Sequence, residues 1–392
     1  MPYYRRVGEV PRKRHTLVKR PGGEGFLAEE LIGQEGFAQE SALLYHQRSP
    51  SAIVAVGPAE TPPGAAERDM LTPEPVVVPH HLRTTALAVG GDPVRGRHRL
   101  VGNDDVVLSY VRAVEDSPLY RNASGDELVY VHEGEAIVET SFGVLDVAAG
   151  DYVVLPAAVT HRWVLRSDRL ELLVLEAGGH VRFPDRYVTG RGQLREGAPF
   201  SERDVRGPTE PLVVDGEDVE VLVRTPQGVT RMVHAHHPFD VVGWDGCLYP
   251  HALSIHDFEP IVGAIHQPPP VHQTFAGPNF VVCSFVPRPY DFHPEATKVP
   301  YHHSNVDSHE VIFYAAGDFM SRAGSGIGPG SISWHPPGFV HGPQPGSIEA
   351  AMEQARTEEL AVMIDTFRPL LATATARGIA DADYAWTWSR ER

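Results

Sequence analysis

The chain has 392 residues, 42% of them apolar and 22% charged, a profile that excludes disorder on the scale of a domain. That length exceeds what one core usually serves and suits two domains or one internally duplicated fold. A formal net charge of −17 excludes the broad basic face that nucleic-acid binding requires.

Residues 1–30 contain no apolar h-region, and no apolar run approaches the roughly 18–20 residues a membrane-spanning helix needs. A cytoplasmic protein with no membrane partner is expected. The Pro-rich stretch 51–64 reads as loop. Short apolar runs follow, bounded by turn residues: LVYVHEGEAIVET (128–140), GVLDVAAGDYVVLP (143–156), RLELLVLEAG (169–178) and VEVLVRT (219–225). Several alternate or are rich in β-branched residues, the pattern of a sandwich or barrel of many short strands. Cys247 and Cys283 are too few for a disulfide framework and are expected as buried free thiols in a reducing compartment. A second Pro-rich stretch, 267–278, interrupts the strands. Residues 347–378 carry the clearest helical pattern, with Ser347 as its cap, Gly378 at its end and Pro369 as a kink or break.

A repeat overlays this pattern. Glu127 is followed by Gly134, Gly150, Pro156 and His161; Glu310 is followed by Gly317, Gly330, Pro336 and His341. The glutamates are 183 residues apart and the histidines 180. Two elements in register over that distance imply a duplicated β domain. The division is expected near residue 210, giving an N-terminal unit (1–210) and a C-terminal unit (211–392). Histidine is abundant, with 21 in all. It is the commonest transition-metal ligand, so the C-terminal cluster of His302, His303, His309, Glu310 and His341 points to a metal.

The segment GSISWHPPGFVH, Gly330 to His341, matches in full the second motif of the cupin superfamily, and His303-x-Asn305-x4-Glu310-x6-Gly317 matches its first in part. This resemblance implies an all-β double cupin: two jelly-roll barrels with a few peripheral helices. It selects His303, Glu310 and His341 as the ligands, and His309, next to Glu310 in a strand, should point away. Asn305 replaces a frequent fourth ligand, leaving room for substrate and O2, as two histidines and one carboxylate do in non-heme Fe(II) oxygenases. At the corresponding N-terminal positions stand Tyr120 and Asn122, so that half, with only Glu127 and His161, is expected to be structural.

The chain also resembles the homogentisate 1,2-dioxygenase family, and its shorter bacterial members more closely. The blocks VPYHHSNVDSHEV (299–311) and WHPPGFVHGP (334–343) carry the likeness most specifically; FLAEELIGQEGFAQESALLYH (26–46), SFGVLDVAAGDYVVLP (141–156), HVRFPDRYVTG (180–190) and DVVGWDG (240–246) support it. It implies ring cleavage of a hydroxylated aromatic acid, homogentisate first, with Fe(II) as cofactor and O2 as co-substrate. His266 would be the base on a substrate hydroxyl, and Tyr301, Asn305, Phe319 and His335 would bind substrate. A trimer-based assembly, a trimer or hexamer, is implied too. Ser304 and Phe319 depart from the family, which often has arginine and a pocket tyrosine there; the lost hydroxyl bears on which aromatic acid is taken. Arg322 is expected on the surface, with pairing to a substrate carboxylate as the other reading. Outside ring cleavage, the alternatives are a Zn- or Mn-dependent cupin isomerase and a non-enzymatic binding bicupin.

Overall fold

The computed structural model describes residues 3–59 and 70–389. Of five sheets among the described residues, the three largest are stacked in layers, and Arg5–Gly8, Val241–Gly246, Ser41–His46 and Ala28–Gly33 form a separate four-stranded one. The outer N-terminal sheet has seven strands, including Glu135–Thr140, Gly143–Ala148 and His161–Leu165. The middle sheet has eight, with Val106–Ala113, Leu170–Ala177, Glu127–Glu133 and Asp151–Leu155 at its centre. The C-terminal sheet has six, running Gln273–Gly277, Phe280–Phe285, Leu360–Thr366, His309–Ala316, Ser331–His335 and His80–Arg83. Strand alternation decides what fills each gap. Val111, Val129 and Val174 of the middle sheet meet Val138, Leu145 and Trp163 of the outer one. The opposite face of the middle sheet carries Tyr110, Leu128 and Leu173, which pack on Val311, Phe313 and Trp334 of the C-terminal sheet. Central strands are thus covered on both faces, which is why Leu170–Ala177 is buried throughout, its two glutamates, Glu171 and Glu176, included.

The pairing crosses residue 210 in both directions. His80–Arg83 adds to the C-terminal sheet, while Val219–Thr225, Gly228–His234 and His251–Ser254 join the two N-terminal sheets, and Leu371–Ala372 closes the edge of the middle one.

Three expectations are corrected. The 347–378 helix is two short helices, Ser347–Met352 and Ala374–Gly378, separated by strands. Leu360–Thr366 lies between Phe280–Phe285 and His309–Ala316 as a central strand of the C-terminal sheet. A strand buried on both faces loses its period of two and mimics a helix, and the sheet's need for a central strand overrides the local preference. Residues 53–58 of the Pro-rich stretch form an edge strand; 60–64 lie outside the described residues. Cys283 is buried but Cys247 is half-exposed, and both are free.

The repeat is visible in the backbone. Gly134 and Gly317 end the two glutamate strands with φ of 91° and 97°, and a Cβ there would lie 2.3 Å from Arg169 O and 1.9 Å from Glu358 O. Only glycine fits both the left-handed turn and the close approach.

A buried ion cluster ties the N-terminal segment down. His46 bonds Asp240 Oδ1 at 2.5 Å through Nδ1 and Glu30 Oε2 at 2.9 Å through Nε2. Burial disfavours the imidazolium, but the two carboxylates raise its pKa to about 9 from 6.5. A raised folded pKa stabilises fully below the unfolded value and is lost as pH climbs through the folded one. The protein should therefore lose about 2–3 kcal/mol between pH 6.5 and 9.5, and His46→Gln should flatten that part of the pH–stability curve in urea melts.

Candidate metal centre

The C-terminal sheet faces its inner side to the middle sheet and turns Glu310, Ile312 and Tyr314 the other way, into a cavity of about 250 Å³. The parity of the strand His309–Ala316 fixes this: Val311 and Phe313 are needed in the core, so Glu310 must face the cavity. His309 accordingly points away and accepts a bond from Trp334 Nε1 at 2.8 Å. His302 is exposed.

His303 and His341 are locked together by a backbone bridge, His303 N–His341 O at 2.8 Å and His341 N–His303 O at 2.9 Å. A directly opposed antiparallel pair sends both side chains to the same side. Each ring donates Nδ1–H to a carbonyl two residues back, Tyr301 O at 3.1 Å and Phe339 O at 3.0 Å. That leaves each Nε2 with a free lone pair, the tautomer a metal ligand needs. Both Nε2 atoms lie 3.3 Å from Glu310 oxygens. The ligand atoms of His303, Glu310 and His341 all fall within 4.8 Å of one another, and His341 Nε2 is buried with no hydrogen-bond partner. Two imidazole nitrogens and a carboxylate oxygen converging this closely fit a divalent transition metal, with other coordination positions left open.

Behind Glu310 stands His335, which is fully buried. Its Nδ1 donates to Glu310 Oε1 at 2.9 Å and its Nε2 accepts from Tyr384 Oη at 3.0 Å. Burial lowers its pKa to about 3, so the ring is neutral. His335, expected at the substrate, occupies the strand position directly opposite Glu310, holds its carboxylate and does not line the cavity. Such supports typically carry a factor of about 10–100 in metal affinity. Tyr384→Phe, which removes the hydroxyl fixing His335, should weaken metal binding about tenfold, measurable by competition with a chelating dye.

Phe319 is also displaced from its expected role. With no hydroxyl to satisfy, its ring packs edge-to-face on Tyr314 at 4.9 Å in an apolar cluster with Cys283 and Met363, backing the cavity wall instead of forming it. Tyr301 stands 64% exposed outside the cavity lining, its ring edge-to-face with His266. His266 lines the cavity, its Nδ1 3.7 Å from Asp291 Oδ2. Asn305 lines it too, with Nδ2 buried and unbonded. Arg322, expected on the surface, is buried in the cavity wall.

Asp365 is the residue the sequence reading missed. It sits directly across from Glu310 on Leu360–Thr366, lines the cavity, and has a buried, unbonded Oδ1. Burial, reinforced by the charge of Glu310, raises its pKa to about 7. The repeat contains the signal: Glu176 faces Glu127 across the corresponding strand pair.

In the N-terminal copy a guanidinium lies against the glutamate. Arg97 bonds Glu127 through both nitrogens at 2.9 Å and reaches Glu176 at 3.4 Å. Tyr120 Oη and Asn122 Nδ2 complete the set on Glu127, each at 3.1 Å. Burial opposes the charge on Glu127, but Arg97 holds the carboxyl down at about 2. His161 keeps the geometry of His341, Nδ1 to a carbonyl two residues back and Nε2 unbonded.

Facing β sheets, a duplicated motif and a three-ligand cradle on the C-terminal copy define a bicupin. A family model described as "Homogentisate 1,2-dioxygenase N-terminal" matches residues 86–255. The Saccharolobus solfataricus protein named "Putative dioxygenase SSO1533" is 38% identical over 392 residues, 99% of both chains. The homogentisate 1,2-dioxygenase of Nitrobacter hamburgensis is 27% identical over 309 residues, 74% of this chain and 67% of that one. A cupin 2 conserved barrel domain protein from Leptotrichia buccalis is a weaker likeness, with a TM-score of 0.36 at 10% identity over 75% of this chain and 99% of its own. The chain belongs to the homogentisate 1,2-dioxygenase family of metal-dependent dioxygenases, as one of its shorter members. Among the described residues no helix is long and apolar enough to cross a membrane.

Proposed function

We propose that the protein is an Fe(II)-dependent dioxygenase that opens the ring of a hydroxylated aromatic acid, homogentisate first. The convergence of the His303 and His341 lone pairs on Glu310, at the wall of a cavity sized for one ring, carries the reading. A bound Fe(II) would supply the redox chemistry that lets O2 react with a closed-shell phenol. The chain's own residues do the rest. His266, steadied by Asp291, takes the proton from a substrate hydroxyl. Asn305 Nδ2 offers its unused donor to a substrate oxygen. Ile312 and Met363 give the ring an apolar wall and keep water from it.

The reading extends to a homo-oligomer. Phe292, Val306 and Val340, each about 70–90% exposed, flank residues of the cavity and metal cradle in sequence, and apolar surface of this kind favours association. Sedimentation should give a trimer or hexamer.

The test is O2 uptake by protein reconstituted anaerobically with Fe(II) and given homogentisate. Rapid uptake, one O2 per substrate, with a conjugated ring-opened product supports the proposal. Tight Zn(II) or Mn(II) binding with no O2 uptake on any phenol would favour the isomerase reading.

A further inference from the structure

Arg322 presents an imbalance of charge. It is 5% exposed, and its described hydrogen bonds go to neutral groups: Nε to Tyr314 Oη at 3.0 Å and Nη1 to Gly342 O at 2.5 Å. Among the described residues no carboxylate lies within ion-pair distance of it; Glu310 and Glu359, which line the same cavity, act on it only at longer range. Arg97, nearly as deeply buried, sits against two glutamates. A buried charge without a counter-ion is costly, and proteins keep one where a ligand supplies the opposite charge. The two bonds on Arg322 also set its aim. Tyr314 shares a strand face with Glu310, and Gly342 directly follows His341, so both anchors are tied to the metal ligands. The guanidinium lines the same cavity as Glu310.

We propose that Arg322 is the specificity-determining residue of this site, binding the carboxylate of an aromatic acid while the ring's hydroxyls face His303 and Glu310. The inference deepens the proposed function and rests on it for the position of the ring, but the anion preference stands on the charge of Arg322 alone. A guanidinium fork matches a carboxylate in shape and charge, and a charge-assisted pair inside a cavity is stronger than at a surface. The site should discriminate homogentisate from hydroquinone, which has the same two hydroxyls and no acid.

The test is calorimetry under nitrogen on Fe(II)-loaded and metal-free protein, with phenylacetate, benzyl alcohol, homogentisate and hydroquinone as probes. Wild type should bind phenylacetate at least tenfold more tightly than benzyl alcohol. Arg322→Gln should weaken phenylacetate and homogentisate about 10- to 100-fold and leave hydroquinone within about twofold. Arg322→Lys should fall between. Equal loss for acid and neutral probes would overturn the proposal, as would an unchanged affinity for phenylacetate. If Arg322→Gln does not melt cooperatively, the wild-type comparison decides: no preference for phenylacetate sinks the anchor. Acid preference without O2 uptake on any phenol would keep Arg322 as an anion anchor and refute ring cleavage; O2 uptake on neutral and acidic phenols alike would do the reverse.

Discussion

Arg97→Met should destabilise the protein by about 3–5 kcal/mol, the range found when one partner of a buried ion pair is removed, and lower its melting temperature by roughly 5 °C. The reason is Glu127: fully buried, bonded at both oxygens by Arg97, and left with only neutral donors once the guanidinium is gone. Adding Glu127→Gln to the variant should restore much of the loss, because a neutral amide needs no counter-charge. A double-mutant cycle in urea reads the coupling directly. Independent, additive effects would show that Arg97 acts by packing alone.

His341→Ala should abolish metal binding and reduce any O2 uptake on the order of a thousandfold, about 4 kcal/mol of barrier, with little change in melting temperature of the metal-free protein. His303→Ala should match it. Both lone pairs are aimed by carbonyls two residues back and have no other described protein partner than Glu310. His309→Ala, on the far face of the same strand, should instead keep the metal and lose stability through Trp334. A variant of His303 that retained full iron content would remove it from the ligand set.

The convergence of His303, Glu310 and His341 was legible in the sequence because strand parity and turn spacing set it. Strand parity puts Glu310 and His309 on opposite faces, and the spacing to His341 is fixed by two turns with glycines at their corners. Residues that meet only through long-range pairing were not. Asp365 was hidden inside what read as a helix, since a strand covered on both faces has no period to betray it. His335 and Phe319 were expected at the substrate, but which side of a wall a ring occupies depends on layers contributed by distant segments, here Tyr384 for the first and Cys283 with Met363 for the second. Arg322 read as surface because nothing nearby in sequence foretold its depth. The crossing of strands over residue 210 was equally invisible: His80–Arg83 reaches a sheet made almost entirely of residues beyond 270.

The guanidinium in the N-terminal copy has a consequence for how the protein matures. One carboxylate of the duplicated pair draws its counter-charge from the chain itself and is satisfied the moment the barrel closes. Assembly of the fold should thereby be separate from the filling of the metal cradle. The chain should therefore complete its architecture before any metal is bound, and a metal-free preparation should melt cooperatively.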